Sequence, residues 1–145
     1  MLTIEQLWDK HPSVQNDLYP CPDQKSNPRF ENQCAIRMGV CLERCGVDLS
    51  GYKGVKCWFG CKETHILRVE ELVPFLKTVK ELGPYKEIID PKSSAFESFS
   101  GILVCYNFWN NKNGDHIDVV KDGVMTYGAL EYIDRSERVG YWEYF

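Results

Sequence analysis

The stretch Cys34-Ala35-Ile36-Arg37-Met38-Gly39-Val40-Cys41-Leu42-Glu43-Arg44-Cys45, followed by Gly46, decides how the rest of the chain is read. Arg37, Glu43 and Arg44 gather on one side at helical spacing, and the remainder is apolar. Gly46 is the residue type that closes a helix just past its end. A helix apolar over most of its circumference belongs at the centre of a domain. Upstream, Pro12, Pro20, Pro22 and Pro28 punctuate a polar segment that reads as loop, and Leu2, Ile4, Leu7 and Trp8 before it have the spacing of a short helix. Downstream, residues 47–64 carry Gly51, Gly54 and Gly60 and read as a long loop. A second helix is predicted from about Val69 to Leu82, with Glu70 and Glu71 in its first turn and Gly83-Pro84 ending it. Pro74 inside it predicts a kink or a later start. Residues 84–100 read again as loop.

The character then changes. Gly101 to Trp109 is β-rich and largely apolar. The turn cluster Asn110-Asn111-Lys112-Asn113-Gly114 follows, then a strand over Asp115 to Val120 and a turn at Lys121-Asp122-Gly123. A short strand is predicted over Val124 to Tyr127, and an aromatic strand over Arg138 to Phe145. Helices first and an antiparallel meander after them describe an α+β domain, with the helices packed on one face of a small sheet. The 145 residues suit a single domain over 1–145 whose first 30 residues form an extended, loop-rich segment.

Composition narrows the function. Hydrophobic residues are 43% and aromatic residues 13% of the chain, enough for a packed core. Lys and Arg number 17 against 21 Asp and Glu, a net charge of −4 with no basic cluster, which argues against nucleic-acid binding. No apolar run reaches the roughly 18 residues of a membrane span, so no membrane insertion is expected. Residues 1–17 carry Asp9, Lys10, Pro12 and Asp17 without an apolar core, so no secretory signal is read there. Seven cysteines sit awkwardly with that reading, because disulfides form in oxidising compartments. Export by a route that needs no N-terminal signal would reconcile the two; buried reduced cysteines acting as small apolar fillers are the alternative.

A thiolate nucleophile needs stabilisation and a base. Cys34 stands where a loop ends and the central helix begins, and the free N–H groups of a helix start favour a thiolate and can hold an oxyanion. Cys41 and Cys45 lie further along the helix, Cys105 is mid-strand, and Cys21, Cys57 and Cys61 are in loops. Of the three histidines, His11 lies in the polar N-terminal stretch and His65 near the second helix, whereas His116 is on a strand directly after a turn. Alternation puts His116 and Asp118 on one face and Ile117 and Val119 on the other. Cys34 with His116 is thus the candidate catalytic pair; a buried structural cysteine and a half-buried strand histidine are the plainer reading of the same residues.

The string Glu31-Asn32-Gln33-Cys34-Ala35-Ile36-Arg37-Met38-Gly39 resembles the cysteine motif of the type VI secretion amidase effector family 4, and Gly114-Asp115-His116-Ile117-Asp118-Val119 resembles its histidine motif, with one residue inserted before the histidine. Arg68-Val69-Glu70-Glu71-Leu72 resembles the family's Ala-Glu-Glu-Leu helix, Gly101-Ile102-Leu103 its strand before the histidine hairpin, and Tyr141-Trp142 its terminal strand. The resemblance runs from about residue 30 onward. It implies a papain-like, NlpC/P60-type fold and no cofactor or metal. The implied activity is that of a cysteine amidase cutting the γ-D-glutamyl–meso-diaminopimelate bond of peptidoglycan stem peptides. Delivery by the type VI secretion apparatus into the periplasm of target bacteria is implied too, as is a cognate periplasmic immunity protein that plugs the groove. The family's third catalytic residue is an aspartate after the histidine strand, and that position falls near Tyr127. Asp118 is the expected substitute, with Asp122, Glu131 and Asp134 as the other nearby acids and Glu131 or Asp134 as alternatives reaching in from the next segment.

Two rival readings remain. Cys57, Cys61 and His65 are evenly spaced soft ligands that would make a zinc module with Cys45 or Cys21 as a fourth, although a Cys57–Cys61 or Cys57–Cys45 disulfide suits the same residues. The aromatic C-terminus fits a non-catalytic interaction domain of the same fold. Arg37, one turn past Cys34, is read as solvating the helix's polar side rather than as meeting substrate carboxylates.

Overall fold

A computed structural model describes residues 2–21, 33–57, 64–107 and 115–144. The turn cluster at Asn110–Gly114 and Cys61 lie outside the described residues. The helices are α1 (Ile4–Lys10), α2 (Cys34–Arg44), α3 (Val69–Leu76) and α4 (Tyr132–Arg135). The strands are β1 (Lys86–Ile89), β2 (Gly101–Tyr106), β3 (His116–Lys121), β4 (Val124–Met125) and β5 (Arg138–Glu143). They form one five-stranded sheet in the order β1-β5-β2-β3-β4, with every neighbouring pair antiparallel.

The central helix is where the sequence puts it. Every residue from Cys34 to Leu42 is buried, and Gly46 follows the helix with φ of 88°, the left-handed conformation a glycine adopts without strain. α1 is started by a capping box between Thr3 and Gln6. It is laid on α2 through thiols: Cys41 Sγ donates to the Leu7 carbonyl at 3.1 Å and Cys45 Sγ to that of Gln6 at 3.5 Å. The predicted second helix is shorter than expected. α3 ends at Leu76, and a separate 3-10 turn covers Lys80–Leu82. Pro74 is accommodated within α3, where it removes one backbone hydrogen bond.

The sheet is larger than its sequence pattern. Residues 84–100 are not simply loop: β1 pairs with β5, and a 3-10 turn occupies Ser93–Phe96. All four residues of β1 are exposed, so no apolar alternation marks it. The sheet is also covered on both sides. α1, α2 and α3 pack with Ile102, Val104, Ile117, Val119 and Trp142 into the main core. Phe96, Phe99, Leu103, Cys105, Val120, Ile133 and Val139 form a second, smaller cluster, to which the Ser93–Phe96 turn and α4 contribute. This explains why β2 is buried along its whole length and reads as a continuous apolar run. Gly101 opens β2 at φ of 156°, and a Cβ there would lie 2.0 Å from the Trp142 carbonyl oxygen. Only glycine allows β5 to approach that closely. The β3–β4 hairpin turns on Asp122 and Gly123, both at positive φ, as the Lys-Asp-Gly signal predicts.

Candidate active site

β4 pairs with β3 only at Val120 and Lys121, so the first half of β3, from His116 to Asp118, is a sheet edge among the described residues. α2 packs against β3 with its N-terminus at this edge. Cys34 is therefore the first residue of a buried helix and lies beside the first residues of a buried strand. Its Sγ donates to the Asp115 carbonyl at 3.7 Å and is hydrogen-bonded to the His116 ring. The hairpin that carries His116 is closed by the Asn107 amide, which donates to the Asp115 carboxylate at 3.0 Å.

Asp118 organises the other side of the imidazole. His116 Nε2 is 3.0 Å from Asp118 Oδ2, which leaves Nδ1 as the ring nitrogen for the sulfur. Asp118 is fully buried and every acceptor position is used. Oδ2 also accepts the Tyr127 amide at 2.9 Å, while Oδ1 accepts the Val119 amide at 2.8 Å and the Thr126 hydroxyl. Burial alone would raise the carboxyl pKa. The His116 hydrogen bond and charge, helped by His11 and Thr126, reverse this and hold Asp118 below the usual carboxylate range. Burial likewise opposes a charge on His116, but its hydrogen bonds to Asp118 and Cys34 and the charges of both raise its pKa to about 10. The ring is an imidazolium throughout the neutral range. Tyr132 packs edge-on against it, with ring centroids 5.4 Å apart.

The alternatives for the third residue stand elsewhere. Asp134 is exposed and holds the Ser93 amide and hydroxyl at 2.8 and 2.7 Å. Glu131 is exposed at the start of α4, and Asp122 is exposed in the β3–β4 turn. Tyr127 meets Asp118 through its backbone N–H. Cys105 is directly opposite His116 in the β2–β3 register, but burial pushes its thiol up to about 12, the behaviour of a core filler.

His11 is the residue that sequence reasoning missed. It lies beyond α1, is fully buried, and accepts the Ser13 amide on Nδ1 at 3.2 Å. Its proton is therefore on Nε2, which meets the Thr126 hydroxyl at 3.3 Å and lies 3.6 Å from Asp118 Oδ1. Thr126 receives from His11 and donates to Asp118, so the carboxylate is buttressed from the N-terminal segment. Burial, with Arg37 and His116 nearby, lowers the His11 pKa to about 4 despite the attraction of Asp118. Arg37 is also placed differently from the sequence reading. It is buried, not solvating: its Nε donates to the Leu18 carbonyl at 2.6 Å and its guanidinium lies over the Tyr127 ring at 4.0 Å. It fastens the N-terminal segment to α2 and backs the residue that holds Asp118.

The two histidines predict opposite pH limbs for stability. His11 titrates in the unfolded chain near 6.5 and in the fold near 4, so the unfolded state takes the proton first. Stability is expected to fall by about 3 kcal/mol as pH drops through that window. His116 has its folded pKa of about 10 above 6.5, so its contribution is complete below 6.5 and is lost as pH rises towards 10. Urea unfolding across pH should show both limbs, and His11→Gln should flatten only the acid one. An unchanged acid limb in that variant would refute the assignment.

The cysteines of the rival zinc reading are also placed. Cys57 has Cys21 as its neighbour at 3.5 Å between sulfurs, whereas Cys45 is at the end of α2 against the Gln6 carbonyl. The expected Cys57–Cys45 disulfide is therefore not formed, because the two residues belong to separate parts of the fold. The Cys57–Cys61 pairing falls on a residue outside those described. None of the six described cysteines is in a disulfide.

The model of the family described as "Type VI secretion system (T6SS), amidase effector protein 4" matches residues 30–142. Among solved structures, the chain is similar to one in the type VI effector–immunity complex Tae4–Tai4 from Salmonella Typhimurium, at 18% identity and a TM-score of 0.76, covering 100% of this chain and 99% of that one. It is similar also to the type VI effector Tae4 from Enterobacter cloacae, at 20% identity and a TM-score of 0.70, covering 100% of this chain and 98% of that one. No curated protein sequence matches. The shared fold is thus the α+β architecture described above, and the family match takes in both the Cys34 helix and the His116 strand. The chain belongs to the type VI secretion system amidase effector protein 4 family.

Proposed function

We propose that the chain is a cysteine amidase that cuts the γ-D-glutamyl–meso-diaminopimelate bond of peptidoglycan stem peptides, with Cys34 as nucleophile, His116 as acid and base, and Asp118 as the group that orients the imidazole. The observation that carries this reading is the contact of Cys34, at the start of a buried helix, with a His116 ring whose other side is held by a fully satisfied carboxylate.

Each step is assigned to one of these groups. In the reactive form Cys34 is a thiolate and His116 an imidazolium. The thiolate attacks the γ-glutamyl carbonyl carbon. The oxyanion forms beside the first amides of α2, whose first intrahelical bond is from the Arg37 amide to the Gln33 carbonyl at 2.8 Å. Gln33 does not cap these amides with its side chain, which instead clamps the Cys21 amide and carbonyl, both at 3.2 Å. His116 gives its proton to the departing diaminopimelate amine, then takes one from the water that hydrolyses the thioester. Asp118 remains ionised and holds the ring through both transfers.

The biological setting follows from this activity and from the family. The effector is delivered by type VI secretion, its substrate lies in the periplasm of the target cell, and a cognate immunity protein covers the groove. Incubation with purified sacculi tests the chemistry. Mass analysis is expected to show fragments ending in a free γ-glutamyl carboxylate and new diaminopimelate amines. Release of intact stem peptides, or cleavage within the glycan strands, would overturn the bond assignment.

A further inference from the structure

We propose that Cys21, Cys57 and His65 form a structural zinc site behind the catalytic helix, one that ties the N-terminal segment to the loop before α3. The two sulfurs and a ring nitrogen of His65 all lie within 4.8 Å of one another, although the residues are far apart in sequence. The sulfurs are 3.5 Å apart. Two thiolates on a tetrahedral zinc, each with a bond of about 2.3 Å, stand roughly 3.8 Å apart, so little movement is needed to seat the ion. Cys21 and His65 are buried and Cys57 is half-buried, and one further ligand completes the tetrahedron.

Charge and surroundings favour this ion. Two thiolates and a neutral imidazole make an uncharged complex with Zn²⁺. The pocket around Cys21 is apolar, formed by Ile36 and Val40 of α2 with Leu67 packed beside them, and a neutral complex is the kind that such a pocket accepts. Thiolate and imidazole ligands in a tetrahedral arrangement select zinc over magnesium or calcium. The two backbone stretches that carry Cys57 and His65 are held to each other by backbone bonds. The Cys57 amide donates to the His65 carbonyl at 2.8 Å, and Lys56 and Ile66 form an antiparallel bridge.

The site bears on catalysis only through position. Gln33, the residue before Cys34, grips the Cys21 backbone at both its amide and its carbonyl. An ion on Cys21 thereby steadies the segment against which the start of α2 is set. It also keeps two adjacent thiols reduced in an oxidising compartment, where they would otherwise be oxidised.

The test uses the full chain, produced without added metal and purified under a thiol reductant without chelator. Elemental analysis should find about one zinc per chain. Exchange for cobalt should produce the intense d–d bands of a tetrahedral site and a thiolate charge-transfer band. Cys57→Ser should reduce the charge-transfer band, His65→Ala should shift the d–d bands, and both should bind zinc more weakly, while circular dichroism shows the fold retained. Chelation should lower the melting temperature of the wild type by about 10 °C and leave that of the variants nearly unchanged. The proposal is overturned if the reduced, folded protein carries no zinc and gives no cobalt spectrum on reconstitution. A Cys21–Cys57 disulfide in protein kept under the reductant would overturn it too, as would full zinc content in both variants.

Discussion

Cleavage of sacculi by Cys34→Ala is expected to fall by about 10⁴-fold or more, to the background of the assay. The remaining groups can bind the substrate and polarise its carbonyl, but none can form the thioester. Stability should change little. Cys34 contributes one small buried side chain, and its loss removes a sulfur contact to the Asp115 carbonyl and the His116 ring, not a large volume of core. A shift in melting temperature within about 4 °C is the expected result, from a loss near 1 kcal/mol. Cys34→Ser should be as inactive, because the hydroxyl keeps the size of the group but is a far weaker nucleophile at neutral pH. Measurable turnover by either variant would remove Cys34 from the mechanism.

Substitutions of Asp118 should separate orientation from folding. Asp118→Ala strips the partner from His116 and from the amides of Val119 and Tyr127 as well as the Thr126 hydroxyl, all in a buried setting. Breaking a buried charge pair in this way is expected to destabilise the protein by about 3–5 kcal/mol. Asp118→Asn keeps the shape and an acceptor oxygen but removes the charge. It should fold, yet lose about 10³- to 10⁴-fold in turnover, because the imidazole loses the group that fixes its tautomer and supports its charge. Its histidine should also titrate well below the value of about 10 in the wild type, visible as an acid shift of the alkaline stability limb. Wild-type turnover by the Asn variant would leave Asp118 with a structural role alone.

The parts of this architecture that were legible in the sequence share a cause. α2 could be read because its apolar circumference and Gly46 are local signals. β3 could be read because His116, Asp118, Ile117 and Val119 alternate beside a glycine-containing turn. The pairing of Cys34 with His116 rests on a motif resemblance as much as on spacing, since 81 residues separate Cys34 from Asp115 and no local pattern spans that distance. β1 was not legible, because Lys86-Glu87-Ile88-Ile89 is an exposed edge that acquires its strand character only by pairing with β5. α4 has four residues, too short for a periodicity. His11 and Arg37 looked like polar surface. Their burial depends on the path of the N-terminal segment over α2, which proline and asparagine content identifies as loop but does not trace.

The position of β5 has a consequence for how this toxin is made. It lies between β1 and β2, so the two strands on either side of it, both translated earlier, have no direct ladder to one another. Until residues 138–143 have left the ribosome, β1 has no partner and one long edge of β2 stays open. A prematurely terminated product that already contains Cys34, His116 and Asp118 therefore lacks the middle of its sheet. Nascent and truncated chains without β5 are therefore expected to lack the sheet on which the His116 strand is set, and sacculus cleavage by a chain ending before Arg138 would contradict this.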